Sequence, residues 1–189
     1  DYDEEEIPIE GFIRREMLHF SMADNFRSIP SGIDGLKDSQ RKALYTMFAR
    51  NINKRTKVAE VASIVTPTTL YEHGETSMAD TVAGMAQEHT GTNNINLFYP
   101  SGKFGSRSLP PSEHAQPRYI YTYLNGIAKS LFIPDDFDVT LRRMEEERLC
   151  EPLIYVPIIP FSLVNGSSGI GTGWSTDIPS FNPADLVRV

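Results

Sequence analysis

Two hydrophobic periodicities occupy this chain one after the other, and their order limits the fold more than any single residue does. Up to about His89 the apolar residues recur at helical spacing, and beyond Ile95 they fall into short runs broken by Pro and Gly. From Gly11 to Asn25, the residues Phe12, Ile13, Met17, Leu18, Phe20 and Met22 mark one face of a helix expected to pack on a core, with Arg14, Arg15 and Glu16 elsewhere on the wheel. Ile29 to Leu36 is rich in Gly and Pro and reads as a loop. Asp38 or Ser39 then caps a helix to about Asn51, which carries Gln40, Arg41 and Lys42 in its first turn and turns Leu44, Tyr45, Met47 and Phe48 to the core. Lys57 to Val65 predicts a short helix stopped by Thr66 and Pro67, and Thr76 or Ser77 caps another that runs to His89. Ile95 to Tyr99 and Tyr119 to Leu124 predict strands, Asn125 to Phe132 a short helix ended by Pro134, and Glu151 to Gly166 further strands. Helices first and strands afterwards place the chain in the α+β class.

Two helices joined through a turn fit a helix-turn-helix, and plain core helices equally. After them comes a long loop between predicted strands, with the sequence Ser101-Gly-Lys-Phe-Gly-Ser-Arg107. A helix pair followed by a basic hairpin is the order of a winged helix. The change of character near Cys150 sets the expected organisation: 1–10 an acidic linker, 11–150 the winged-helix unit, and 151–189 the beginning of a β-rich second unit.

The net charge of −7 argues against a nucleic-acid partner until its distribution is considered. Asp1 to Glu10 hold six acids and no base, whereas Gly11 to Pro134 hold fourteen Lys and Arg against ten Asp and Glu, so a local basic surface is expected on an acidic chain. A single cysteine, Cys150, excludes an internal disulfide, and no charged-then-apolar signal opens the chain, so a reducing intracellular compartment is expected. The longest apolar run, Leu153 to Val164, is too short to span a bilayer and contains Pro157 and Pro160; no membrane partner is expected. Gly166 to Gly173 lacks the Gly-Lys-Ser/Thr ending of a phosphate loop, and His19, His73, His89 and His114 lack metal-ligand spacing, so no metal site is expected in the chain itself.

The residues with the sharpest chemistry are Arg118 and Tyr119, at the entry to the strand that begins after Pro117. A phenol attacks poorly at neutral pH, and an adjacent guanidinium both favours the phenolate and can hold a phosphate oxygen. The other reading is a tyrosine ladder on a sheet face, which Tyr121 and Tyr123 would extend.

Seven separated motifs decide which reading to pursue: Arg27-Ser-Ile-Pro-Ser, Asp34-Gly-Leu-Lys, Gln40-Arg-Lys42, His73-Gly-Glu75, Gly102-Lys-Phe-Gly-Ser-Arg107, Pro117-Arg-Tyr-Ile120 and Gly169-Ile-Gly-Thr-Gly-Trp174. In this order they resemble the start of the DNA-cleavage region of type IIA DNA topoisomerases, on the eukaryotic and viral topoisomerase II side, from about Phe12 to Pro183. The resemblance implies that Tyr119 attacks a DNA phosphodiester to form a reversible 5′-phosphotyrosine link, that Arg118 and Arg27 attend the scissile phosphate, and that His73 assists proton transfer or the transition state. It implies DNA-backbone contacts for Lys37, Arg41, Lys42, Lys103 and Arg107, and makes Ile170 a wedge between base pairs. Several have a bland alternative: a surface salt bridge for Arg118, a turn residue for His73, a solvated helix face for Lys37, Arg41 and Lys42, and a loop residue turned inward for Ile170. Many relatives carry a second histidine just before His73, where this chain has Glu72.

The resemblance further implies Mg²⁺ held by a TOPRIM domain and ATP held by an ATPase domain, neither of them in this segment. The partners it implies are double-stranded DNA and a second copy in a homodimer, and the compartment is the nucleus for a cellular enzyme or a replication site for a viral one. The rival from another class is a non-catalytic winged-helix DNA-binding or interaction module, which the basic residues fit equally well.

Overall fold

A computed structural model describes residues 7–188, and the acidic run at 1–6 lies outside them. Helix has begun by Ile9, inside the stretch expected to be linker. Helix α1 (Ile9–Phe12), one π-type turn (Ile13–Met17) and α2 (Leu18–Ser28) run on without a break. The expected burial of this helix's apolar stripe is not seen: Phe20 is 63% and Met22 62% exposed, and no residue of the run is buried. Amphipathic spacing established the helix but not a partner for its face. Ile29 ends it in extended conformation, as the residue before Pro30 must.

Helices α3 (Asp38–Ala49), α4 (Val58–Thr69) and α5 (Glu75–Ala86) form the core. Leu44, Met47, Val58, Val61, Val65, Met78 and Val82 are all fully buried between them, each contributing about 1.5–3 kcal/mol by leaving water. Neither Asp38 nor Ser39 caps α3. Its N-cap is Lys37, whose backbone N–H donates to Gln40 Oε1 at 2.8 Å. Helix α4 also departs from expectation by running through Pro67 to a left-handed Leu70. Proline removes only one ladder bond there, near the end, and the hydroxyls of Thr68 and Thr69 donate to the carbonyls of Ile64 and Val65.

The strands are shorter than the sequence suggests. Strand β1 (Thr56–Lys57) pairs antiparallel with β2 (Tyr121–Thr122), and single bridges join Phe98 to Leu124 and Ser101 to Tyr121. Ile95 cannot join a ladder because the Asn165 side chain takes both of its backbone groups, accepting from its N–H and donating to its carbonyl at 2.8 Å each. Asn125 caps α6 (Gly126–Leu131), and a 3₁₀ turn comes next at Pro134–Asp138. The hairpin of β3 (Arg142–Glu145) and β4 (Arg148–Pro152) turns on Glu146 and Glu147, both with positive φ. Beyond Pro152 the expected strands give way to loop and a short α7 (Phe161–Val164), since Pro157 and Pro160 have no N–H to donate. A second hairpin, β5 (Ser167–Ile170) with β6 (Ser175–Ile178), and α8 (Pro183–Leu186) complete the described chain. Tyr155, Phe161 and Val164 belong to the same buried cluster as α3, α4 and α5, so one apolar core crosses Cys150.

Candidate functional site

Pro117 to Tyr119 form a turn before β2, so Tyr119 sits just ahead of the strand rather than on it. The Tyr119 N–H donates to the Gln116 carbonyl at 2.8 Å, while the Pro117 and Ile120 carbonyls accept from Ala59 and Val58 at the start of α4. Ile120, Thr122 and Leu124 are buried, and this alternation turns Tyr119, Tyr121 and Tyr123 outward. Tyr119 is 67% exposed. The two outer tyrosines are covered by neighbours: the Arg55 guanidinium lies 4.0 Å from the Tyr121 ring centre, and Tyr123 stacks on Tyr99 at 4.7 Å. For Tyr119 the neighbour is its own predecessor, with the exposed Arg118 guanidinium 5.2 Å from the ring centre. A backbone anchored on both sides thus presents an open phenol beside an exposed cation. This arrangement suits attack on a large anionic ester that must approach from solvent.

Arg27 and His73 lie elsewhere. Arg27, near the end of α2, is paired with Asp24 at 2.9 Å and keeps 46% of its side chain exposed. His73 is exposed just ahead of α5, with its ring edge-on to buried Tyr71 at 5.4 Å, and Glu72 beside it is exposed too. Among the described residues no hydrogen bond, ion pair or ring contact links Arg27 or His73 to Tyr119, so of the four expected catalytic residues only Arg118 and Tyr119 are in contact.

The three basic residues expected at the start of α3 separate. Lys37 is half-buried on the wall of a groove of about 880 Å³, with Ser39, Gln40, Thr76 and Ser77 from the first turns of α3 and α5. Free amides at two helix N-termini favour an anion there, although Asp80 and Asp177 also line the groove. Arg41 and Lys42 correct the expectation of DNA contacts. The Arg41 guanidinium is 4% exposed and bidentate on Asp34, at 2.8 and 3.3 Å, with a further bond to the Leu36 carbonyl at 2.6 Å. Lys42 Nζ is paired with Glu151 at 2.9 Å and donates to the Thr69 carbonyl at 2.9 Å. Both cations are already neutralised inside the protein, where they tie α3 to its preceding loop, to α4 and to β4.

Lys103 and Arg107 are exposed on a loop held down from below. Phe104 is buried, Gln87 Nε2 donates to the Phe104 and Pro111 carbonyls at 2.9 and 2.7 Å, and the Ala115 N–H donates to the Lys103 carbonyl. Gly105 has φ +84°, and a Cβ there would lie 2.7 Å from the Glu113 carbonyl oxygen, so only glycine fits the crossing. Ile170 is not turned inward. It ends β5 with 84% exposure, and Trp174, across the turn, is 72% exposed. The hairpin therefore projects two large apolar side chains into solvent.

Sequence reasoning passed over Arg55, Asp24 and Trp174. Arg55 could have been found from its place in the basic run Lys54, Arg55 and Lys57; Trp174 was visible inside a recognised motif without a role attached. Asp24 stands at helical i,i+3 spacing to Arg27, but its bond to Thr172 joins two elements whose contact no local pattern encodes.

The chain is similar to known proteins in sequence and in fold. The family model of the DNA gyrase/topoisomerase IV A-type subunit matches residues 27–189. DNA topoisomerase 2 of Candida glabrata is 50% identical over 183 residues, which is 97% of this chain and 13% of that protein. DNA topoisomerase 2 of Saccharomyces cerevisiae is 48% identical over the same shares, and that of Arabidopsis thaliana is 45% identical over 99% of this chain and 13% of its own length. Among solved structures, the DNA-binding, cleavage and re-ligation domain of Plasmodium falciparum topoisomerase II superposes with a TM-score of 0.89 at 39% identity, covering all of this chain and 26% of that one. The chain thus spans about an eighth of the curated relatives' length, 13% for each of these three.

Proposed function

The chain belongs to the family of the DNA gyrase/topoisomerase IV A-type subunit, on its eukaryotic topoisomerase II side, and on that premise we propose that it carries the nucleophile of a type IIA DNA topoisomerase. The observation that carries this reading is the open Tyr119 phenol beside Arg118 on a backbone anchored to α4. Tyr119 Oη gives up its proton and forms a bond to a DNA phosphorus, the bond from phosphorus to the 3′ oxygen breaks, and the leaving 3′ oxygen takes up a proton to become the 3′ hydroxyl. The phosphodiester is conserved in the phosphotyrosine link, so the 3′ hydroxyl can reseal the strand by the reverse step. Arg118 offers the phosphate a planar, charge-assisted fork. Arg27 and His73, which assists proton transfer or the transition state, are brought to the same phosphate by the bound duplex, since they do not meet Tyr119 directly.

Residues 11–150 are the winged-helix unit in this reading and 151–189 the start of the β-rich second unit, the tower domain of the family. Lys37, Lys103 and Arg107 track the backbone of double-stranded DNA, and Ile170 wedges between base pairs to bend it. Arg41 and Lys42 hold this surface in place from within. The parent enzyme would act as a homodimer, in the nucleus for a cellular source or at a replication site for a viral one. Mg²⁺ and ATP are expected in other domains of the parent. Among the described residues no group of three His, Cys, Asp or Glu side chains could hold a metal ion, and the steps assigned to this chain use its own residues alone. No helix among the described residues is long and apolar enough to cross a membrane.

The test uses the parent enzyme with Tyr119 intact and with Tyr119→Phe, incubated with supercoiled plasmid and Mg²⁺ and quenched with denaturant and protease. Linear DNA with protein on its 5′ ends, absent for the Phe variant, is the expected result. Binding without adduct from either protein would leave a winged-helix binding module and remove the catalytic reading. Bending gives an independent check on the wedge: Ile170→Ala should lower the bend more than the affinity.

A further inference from the structure

Arg27 and Ile170 sit on different elements, yet one carboxylate reaches toward both. Asp24 lies one turn before Arg27 on α2. Its Oδ1 accepts from Arg27 Nη2 at 2.9 Å and from Ser28 Oγ at 3.1 Å, and its Oδ2 accepts from Thr172 Oγ1 at 2.7 Å in the turn joining β5 to β6. The two elements are in intimate contact. A Cβ on Gly169 would overlap the Ser28 carbonyl, one on Gly171 would overlap Asn25 Oδ1, and Asn25 Nδ2 donates to the Thr172 carbonyl at 3.2 Å. The Asp24 side chain is 17% exposed, so its bonds are partly shielded from water. These bonds, Thr172's hydroxyl foremost, hold its carboxyl below the usual range and keep it ionised.

We propose that Asp24 is a positioning residue that locks Arg27 and the Ile170 hairpin into one arrangement, coupling deformation of the duplex to presentation of Arg27 at the scissile phosphate. This rests on the reading of Arg27 and Ile170 under the proposed function. The carboxylate divides its two oxygens between them: one fixes a guanidinium, the other fixes the turn next to the wedge. A hairpin displaced by an unbent duplex would pull on Thr172 and, through Asp24, on Arg27. Cleavage would then be favoured only on DNA that the hairpin has bent.

Because the two oxygens have different partners, two near-isosteric substitutions separate the two functions. Asp24→Asn keeps an acceptor for Thr172 but loses the charge that holds Arg27; Thr172→Val keeps the ion pair but frees the hairpin turn. In the parent enzyme, covalent adduct on plasmid and bending of a doubly labelled duplex by energy transfer are measured side by side. Asp24→Asn should leave bending within about twofold and lower the adduct about tenfold, the size of one charge-assisted hydrogen bond. Thr172→Val should lower the ratio of bent to unbent duplex and the adduct together, and Asp24→Asn added to Arg27→Ala should cost no further adduct. Undiminished adduct in Asp24→Asn, or equal loss of bending and adduct in that variant with a lowered melting temperature, would overturn the coupling and leave Asp24 a fold contact. A wild-type enzyme that forms no adduct at all would instead overturn the functional reading on which the coupling rests.

Discussion

Two sets of basic residues look alike in the sequence and behave in opposite ways in the fold. Arg41 and Lys42 lie at 4% and 3% exposure with Asp34 and Glu151 against them. Arg118, Lys103, Arg107 and Arg55 are exposed, and for two of them the close neighbour is an aromatic ring: Tyr119 for Arg118 and Tyr121 for Arg55. The difference lies in which cations have an acid supplied by another part of the chain. Glu151 is more than a hundred residues from Lys42, and it converts an expected DNA contact into a strut. The cations available to a polyanion are those that tertiary folding left without a carboxylate from a distant part of the chain; Arg27, paired with Asp24 one turn away, still keeps 46% of its side chain exposed.

The largest effect expected from this contrast is at the exposed side. Tyr119→Phe should lower covalent adduct by at least about a thousandfold, since removing a nucleophile removes its step. Losing one exposed hydroxyl should change stability by no more than about 0.5 kcal/mol. Thermal unfolding of the parent, measured beside the adduct, would break the comparison if the two fell together.

The buried side should answer in the reverse sense. Lys42→Ala leaves Glu151 in the interior with Arg143, 3.4 Å away, as its remaining cation, and should destabilise the fold by about 3–5 kcal/mol. Protein that remains folded should bind DNA with unchanged affinity and salt slope. A reduced salt slope with intact stability would return Lys42 to the DNA-contacting set.

How far these roles can be read without coordinates depends on the range of the forces involved. The helices α3, α5 and α6 and the α+β class come from periodicity, which is local, whereas the caps expected for α3 and α5 are replaced by Lys37 and Gly74. So does the exposure of Tyr119, because a Pro-led alternation sets which side chains turn out. Strand pairing was not legible at Ile95, where Asn165 captures the backbone from 70 residues away. The burial of Arg41 and Lys42 was hidden for the same reason, and so was the Asp24 contact. The exposed stripe of α2 is the converse case: the pattern specifies an apolar face, and only the fold shows that nothing among the described residues buries it.

A smaller effect is expected from the loop cations. Lys103→Ala and Arg107→Ala should each reduce the slope of log affinity against log salt by about one phosphate contact, ~0.9, without a preference among DNA sequences. Neither side chain makes the Gln87 bonds that hold the loop, so melting should not move. A slope unchanged by the double substitution would take the loop off the DNA path and confine the polyanion surface to Lys37, Arg55 and Arg118.

The smallest effect tests the same contrast with the sign reversed, at an exposed acid. Glu72 stands next to His73, near the left-handed Leu70 that ends α4, and it is exposed, with no ion pair among the described residues to neutralise it. If His73 meets a phosphate, this carboxylate is within the reach of the same field and opposes binding. Glu72→Gln should then raise DNA affinity about two- to threefold at low salt, and the gain should fade as the screening length drops to about 10 Å near 0.1 M ionic strength. Size and hydrogen-bonding capacity are nearly preserved by the substitution, so a gain that persists at high salt would point to a local contact rather than to charge. No gain at any salt would put Glu72, and with it the exposed side of His73, away from the phosphates, and would leave Arg27, Arg118 and Tyr119 to form the reactive face without the histidine.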